Sequence, residues 1–239
     1  MAKALKVLSI DFDFFQKTTV NLLMNYPDGV DLPTKITEIT WSSHYSYNYD
    51  ELMAIKIDES KLKQLYKILS KQDNNIPVMI VQSHKHIYDF ILRNRKDNAK
   101  IQVYNIDMHH DCFGDKNRSI DCGNWVLHLK KDFPNTEITW ITQKEGLELY
   151  NNPYNIPTEF TFDKIRDKKF DMIFLCRSDT WLPQHLDGYF EVLTSFLLTN
   201  FTKVQGERTV LASRNWDNIY KQVQMQRQFM NEMRKNLKQ

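Results

Sequence analysis

The sequence predicts an α/β protein: a three-layer sandwich with a mostly parallel sheet and helices on both faces. Three observations carry that expectation. Short apolar runs of five or six residues alternate along the chain with segments of helical spacing. The runs are rich in apolar residues, as covered strands of a parallel sheet are. Three of them stop at once in acidic or histidine-bearing motifs, where an open α/β sheet places its ligands.

In chain order, Leu5–Ile10 is the first run and leads into Asp11-Phe12-Asp13. Residues 26–50 are rich in Pro, Asp, Ser, Tyr and Asn and read as a long ordered loop, a feature often tied to function. From Ser60 to Gln72 the residues Leu62, Leu65, Ile68 and Leu69 share one helical face, with Ser60 as the N-cap. Pro77–Val81 is the second strand, followed by Gln82-Ser83-His84-Lys85-His86 and a helix through Ile91. Ile101–Ile106 is the third. Gly123-Asn124 lead into a helix from Trp125 to about Lys131. Glu137–Thr142 and Asp171–Cys176 are the fourth and fifth strands, and Leu186–Leu198 is helical. Thr209–Ala212 reads as a last short strand. No repeat or linker divides the chain, so one catalytic domain over residues 1–239 is expected, with a C-terminal helix at about 213–239. Trp216, Ile219, Tyr220, Val223 and Met230 on that helix read as a face packed on its own domain; an oligomer or partner helix is the alternative.

Composition narrows the function classes. The 239 residues are 41% hydrophobic and 26% charged, with a net charge of +2. That leaves no global basic field for nucleic acid. No apolar run is long enough for a bilayer, and Met1–Lys6 lacks the apolar core of a signal peptide, so a cytoplasmic location is expected. Cys112, Cys122 and Cys176 form no CxxC pair, which argues against a zinc knot or a disulfide framework. Neither GxGxxG nor a Walker loop is present, which disfavours nucleotide folds of those types.

The chemistry is carried by the strand ends. In Asp107-Met108-His109-His110-Asp111, residues two apart on an extended chain point the same way, so Asp107, His109 and Asp111 converge. One such residue is ordinary turn chemistry; three at this spacing point to a metal. Asp11-x-Asp13 follows another strand and His84 a third. Together they give four carboxylates and two imidazoles, enough for two ions about 3.5–4 Å apart. An oxygen-rich set with some imidazole suits Mn²⁺, although Zn²⁺, Fe²⁺ and Co²⁺ also accept imidazole.

These motifs resemble the arginase (ureohydrolase) superfamily: Ser9-Ile10-Asp11-Phe12-Asp13, His84 and Asp107-x-His109-x-Asp111 look like its three metal-binding motifs. Flanking segments look most like the peptide arginases. These are Phe14-Phe15, Ser83-His84, Asn105-Ile106-Asp107-Met108-His109, Cys122-Gly123-Asn124-Trp125 and Arg177-Ser178-Asp179-x-Trp181-x-Pro183. The resemblance implies two Mn²⁺ per chain and hydrolysis of an arginine side chain to ornithine and urea. The implied partner is a ribosomally made precursor peptide containing arginine. The tract Trp41-Ser42-Ser43-His44-Tyr45-Ser46-Tyr47-Asn48-Tyr49 either binds such a peptide or packs its own loop down.

Three departures from the family pattern shape the remaining expectations. Asp11-x-Asp13 precedes Asp107 by about ninety residues instead of following it, which implies a permuted strand order. The family's proton-shuttling histidine is missing after Gly123-Asn124, where Trp125-Val126 stand; His44 or His128 would substitute. The family's guanidinium-binding glutamate is replaced by Asp179, with Asp187 second. Asp111 and His44 are thus the expected catalytic residues, and Asp179, Asn124, Trp125 and Asp187 the expected substrate contacts. Two rivals remain. Asp11-x-Asp13 alone suits a haloacid-dehalogenase-type phosphatase, but Phe14-Phe15 replace the usual Gly-Thr. A metal-dependent deacetylase of the same superfold would use fewer ligands.

Overall fold

Residues 4–24, 26, 31–96, 99–115, 117–206, 214 and 216–236 are described by the computed structural model, without the side chains of 216–219 and 236. The strands are β1 (Leu5–Asp11), β2 (Gln16–Lys17), β3 (Lys56–Ile57), β4 (Pro77–Val81), β5 (Ile101–Ile106), β6 (Glu137–Ile141), β7 (Thr158–Glu159), β8 (Met172–Cys176) and β9 (Lys203–Gly206). The helices are α1 (Val20–Leu23), α2 (Thr34–Ala54), α3 (Glu59–Leu69), α4 (His86–Asn94), α5 (Trp125–Asp132), α6 (Lys144–Tyr150), α7 (Asp187–Asn200) and α8 (Trp216–Asn236).

Seven strands form one sheet in the order β7-β6-β5-β1-β8-β4-β9, and every neighbouring pair is parallel. The α/β sandwich read from the sequence is the fold observed. Successive residues of each strand feed opposite faces, as the period of two demands. Leu8, Ile10, Val78, Ile80, Ile173 and Leu175 face one core with the buried sides of α3 and α7. Val7, Met79, Val81, Met172 and Phe174 face the other with α4 and α5. No helix among the described residues is long and apolar enough to cross a membrane.

The sheet order decides the site. β1 lies centrally, with β5 on one side and β8 on the other, and β4 lies beyond β8. Ile10 is level with Ile106, and Asp11 with Cys176, which is itself level with Val81. The residues just past β1, β5, β8 and β4 therefore emerge side by side at the carboxyl edge.

Two expectations need correction. Residues 34–54 are helix α2, not loop. Its buried side chains Thr37, Trp41, Tyr45 and Leu52 do keep a helical period, but in aromatic and hydroxyl residues that are weak helix formers. Packing of Trp41 and Tyr45 on the stretch beyond β8, and of the helix on α8, supplies what propensity does not. The tract Trp41–Tyr49 is consequently helical, with a break at Asn48. The N-cap of α3 is Asp58, whose carboxylate accepts from Ser60 and Lys61 N–H at 3.1 Å, and not Ser60. The last strand among the described residues is Lys203–Gly206, and the expected strand Thr209–Ala212 lies outside them.

Candidate metal centre

His84 stands three residues past β4, and its ring is held from three sides. Nε2 lies 2.7 Å from Ser9 Oγ. Phe174 stacks on one face at 5.4 Å and Trp125 tilts against it at 5.1 Å. The other nitrogen, Nδ1, points into a ring of oxygens: Asp107 Oδ2 at 3.1 Å, Asp111 Oδ2 at 3.2 Å and Asp11 Oδ2 at 3.3 Å. With Nε2 committed to Ser9, Nδ1 is the nitrogen left to ligate, the usual division of labour in a metal-bound histidine.

His109 forms the second half. Its Nδ1 lies 3.1 Å from Asp13 Oδ2 and 3.4 Å from Asp107 Oδ1, and its Nε2 lies 3.0 Å from the Tyr150 hydroxyl. Asp107 therefore divides its oxygens, Oδ2 toward His84 and Oδ1 toward His109. Two ligand groups result, Asp11–His84–Asp107 and Asp13–Asp107–His109, with the atoms of each within 4.8 Å of one another. Asp111 closes the first group. Its Oδ2 also accepts from the Trp125 indole N–H at 2.6 Å.

Local backbone explains the convergence. Asp11 caps a short 3-10 turn, Phe12–Phe15, by accepting from Asp13 N–H, which turns both carboxylates inward. Asp111 has φ 53° and Ser178, whose hydroxyl donates to Asp11 Oδ2, has φ 54°. Neither is glycine, so each position is strained, a condition that persists where surrounding structure enforces it. Thr142 donates to the Met108 carbonyl at 3.3 Å, holding the peptide between Asp107 and His109.

The electrostatics call for a cation. Asp11, Asp13, Asp107 and Asp111 are each at most 3% exposed. Burying an ionised carboxylate costs several kcal/mol unless it is paired. Without a metal, protons take that role. Burial opposes charge on His84 and His109, but for His84 the carboxylates of Asp111, Asp107 and Asp11 outweigh it, and for His109 Tyr150, Asp13 and Asp107 do; both imidazoles are held well above their ordinary pKa. Burial, with Asp11 beside it, pushes Asp13 up to about 7. Burial and the Asp107 charge raise Asp111 well above the carboxylate range. Burial also opposes ionisation of Asp107, yet the neighbouring His109 and His84 imidazoles outweigh it and hold Asp107 below that range. Two buried atoms at the centre, His84 Nδ1 and Asp13 Oδ2, make no well-aligned hydrogen bond despite these close neighbours. Carboxylate and imidazole donors crowded at ligand spacing, with such orphans among them, fit a divalent ion, and this cluster can hold one.

A cavity of about 830 Å³ opens over the cluster. Asp11, His84, His109 and Asp111 form its floor; Tyr26, Phe113, Tyr150 and Trp181 are among its walls, and Asp31, Lys85, Arg118 and Asp121 add charge. Of the expected substrate contacts, only Asn124 lines it. Trp125 lies fully buried behind Asp111. Asp179 is taken by the buried Arg177 guanidinium and Asp187 by the buried Arg214. His44 is on α2 beside Trp41, and neither it nor His128 belongs to the cavity wall. Asp179 and Asp187 are neutralised internally, by Arg177 just past β8 and by Arg214 beyond β9, and His44 sits on a packed helix. Asp31 and Tyr150 are not singled out by the sequence, and Trp181 is given no role at the site there. Only Trp181, inside the motif after β8, carried any signal.

No protein-family model, no curated protein and no solved structure matches this chain.

Proposed function

We propose that the chain is a binuclear manganese hydrolase that converts arginine side chains of a peptide to ornithine and releases urea. The observation that carries this reading is the position of Asp107, one carboxylate shared between two ligand groups. Charge supports it. Four carboxylates give −4, two divalent ions +4, and both imidazoles stay neutral, as ligation requires. The donors are oxygen and imidazole with no thiolate, which favours Mn²⁺ over softer metals. A deacetylase would leave one of the two groups without a purpose.

When bound, the ions supply Lewis acidity that brings the pKa of water into the neutral range. The chain supplies the rest. His84, Asp11, Asp107 and Asp111 would hold one ion, and His109, Asp13 and Asp107 the other. Ser9 fixes the His84 ring and Tyr150 the His109 ring, so the ligating nitrogens face inward. Asp111, steadied by Trp125 N–H, accepts the proton of the attacking water. The leaving amine takes a proton at the cavity wall, where the Tyr150 hydroxyl replaces His44 as the candidate donor. A cavity of this size over a buried centre suits a long side chain presented by a larger, ribosomally made precursor peptide in the cytoplasm.

The test is incubation of the Mn²⁺-loaded chain with arginine-containing peptides, read by mass spectrometry. Each modified arginine loses about 42 Da, the balance of adding water and expelling urea, and equimolar urea appears. Unchanged peptides, together with Mn²⁺-dependent release of acetate from an acetylated substrate, would overturn the proposal.

A further inference from the structure

If the hydrolase reading holds, some group must receive the cationic guanidinium, and the two acids beyond β8 cannot. Asp179 and Asp187 are already closed into ion pairs with Arg177 and Arg214. Among the described residues, four carboxylates line the cavity: Asp11, Asp31, Asp111 and Asp121. Asp11 and Asp111 belong to the metal cluster. Asp121 is exposed, and its Oδ1 accepts from Gly123 N–H at 2.9 Å in a local turn.

Asp31 is different. It is half-buried, and its Oδ2 accepts a hydrogen bond from Ser83, the residue before His84. The adjoining peptide is fastened to two strand ends: Leu32 N–H lies 3.4 Å from Thr180 Oγ1, and Gln82 donates to the Leu32 carbonyl. Asp31 is thus a fixed carboxylate one residue from the metal cluster. It forms no ion pair with Lys85 or Arg118, the cations that share the cavity. Ser83 takes one of its lone pairs, and the remaining lone pairs on both oxygens can accept the two parallel N–H groups of a guanidinium. Tyr150, Phe113 and Trp181 add flat faces on which a planar cation stacks.

We infer that Asp31 is the specificity-determining carboxylate that binds the substrate guanidinium. This rests on the hydrolase reading, and the two can be told apart. The metal-loaded chain is titrated calorimetrically with an arginine-containing peptide and with the same peptide carrying citrulline, which keeps the shape and lacks the charge. Urea is assayed in parallel. The wild-type chain prefers the arginine peptide. Asp31→Asn weakens the arginine peptide by about 10- to 100-fold, in Kd or in KM, and leaves the citrulline peptide within about twofold. Its metal content stays at the wild-type value. Ser83→Ala, which keeps the charge but releases its anchor, gives a smaller loss in the same direction and serves if Asp31→Asn unfolds early. Full arginine preference in both variants, with normal metal content, overturns the role of Asp31. Absence of urea from the wild-type chain overturns the hydrolase reading instead, and the arginine-over-citrulline preference still judges Asp31.

Discussion

Asp13 is 1% exposed and lies against Asp11, so without a cation its carboxyl holds its proton until about pH 7. The unfolded chain releases that proton near 3.8. Between the two values the folded state binds more protons, so stability falls as pH rises. Asp111, also raised, acts the same way. His84 and His109, raised above 6.5, contribute stability that is complete below that value and lost as pH climbs through their folded pKa. Asp107 is depressed, and its contribution is lost only in acid. The metal-stripped chain should therefore weaken by a few kcal/mol from about pH 5.5 to 8.5, and Mn²⁺ should raise its Tm more at the alkaline end. Thermal unfolding with and without chelator checks this; a Tm gain that shrinks with pH would contradict it. The six residues of the buried cluster were legible because ligand-type side chains at strand ends are few and their spacing is restrictive. Asp31 and Tyr150 were not, since an aspartate after Pro-Asp-Gly-Val and a tyrosine ending a helix look like ordinary surface residues until the fold places them.

At the scale of elements, the centre depends on how α6 meets the end of β5. A Cβ on Gly146 would stand 2.5 Å from the Met108 carbonyl oxygen and 2.7 Å from Thr142 Oγ1. The helix can approach only because residue 146 has no side chain. Gly146→Ala should push the Met108 peptide, which links Asp107 to His109, and cost about 1–3 kcal/mol as overpacking does. Mn²⁺ affinity should fall with it. Unfolding curves and metal titration read both quantities, and unchanged values for the two would show that α6 does not set the ligand geometry. The five central strands were legible within a residue or so, because each is a short run rich in apolar and β-branched residues. Strand β9 and helix α2 were not. The first is short and polar at the sheet edge, and the second buries Trp41 and Tyr45 through tertiary packing instead of an aliphatic stripe.

For the whole molecule, the sheet order is what turns separate motifs into one site. Asp11 and Asp107 meet because β1 and β5 are neighbours, and His84 reaches them across β8, whose following residue Ser178 donates to Asp11. The motifs themselves could be read from the sequence, whereas their meeting could not, because strand order is not written in local pattern. The shared role of Asp107 is the central claim, and counting metal tests it most directly. Each purified variant is equilibrated with Mn²⁺, freed of excess ion and assayed for metal per chain, with circular dichroism confirming the fold. Two ions in the wild-type chain, one each in His84→Ala and His109→Ala, and fewer than one in Asp107→Asn are the predicted results. A wild-type chain that holds one ion, or an Asp107→Asn chain that keeps both, would contradict the account.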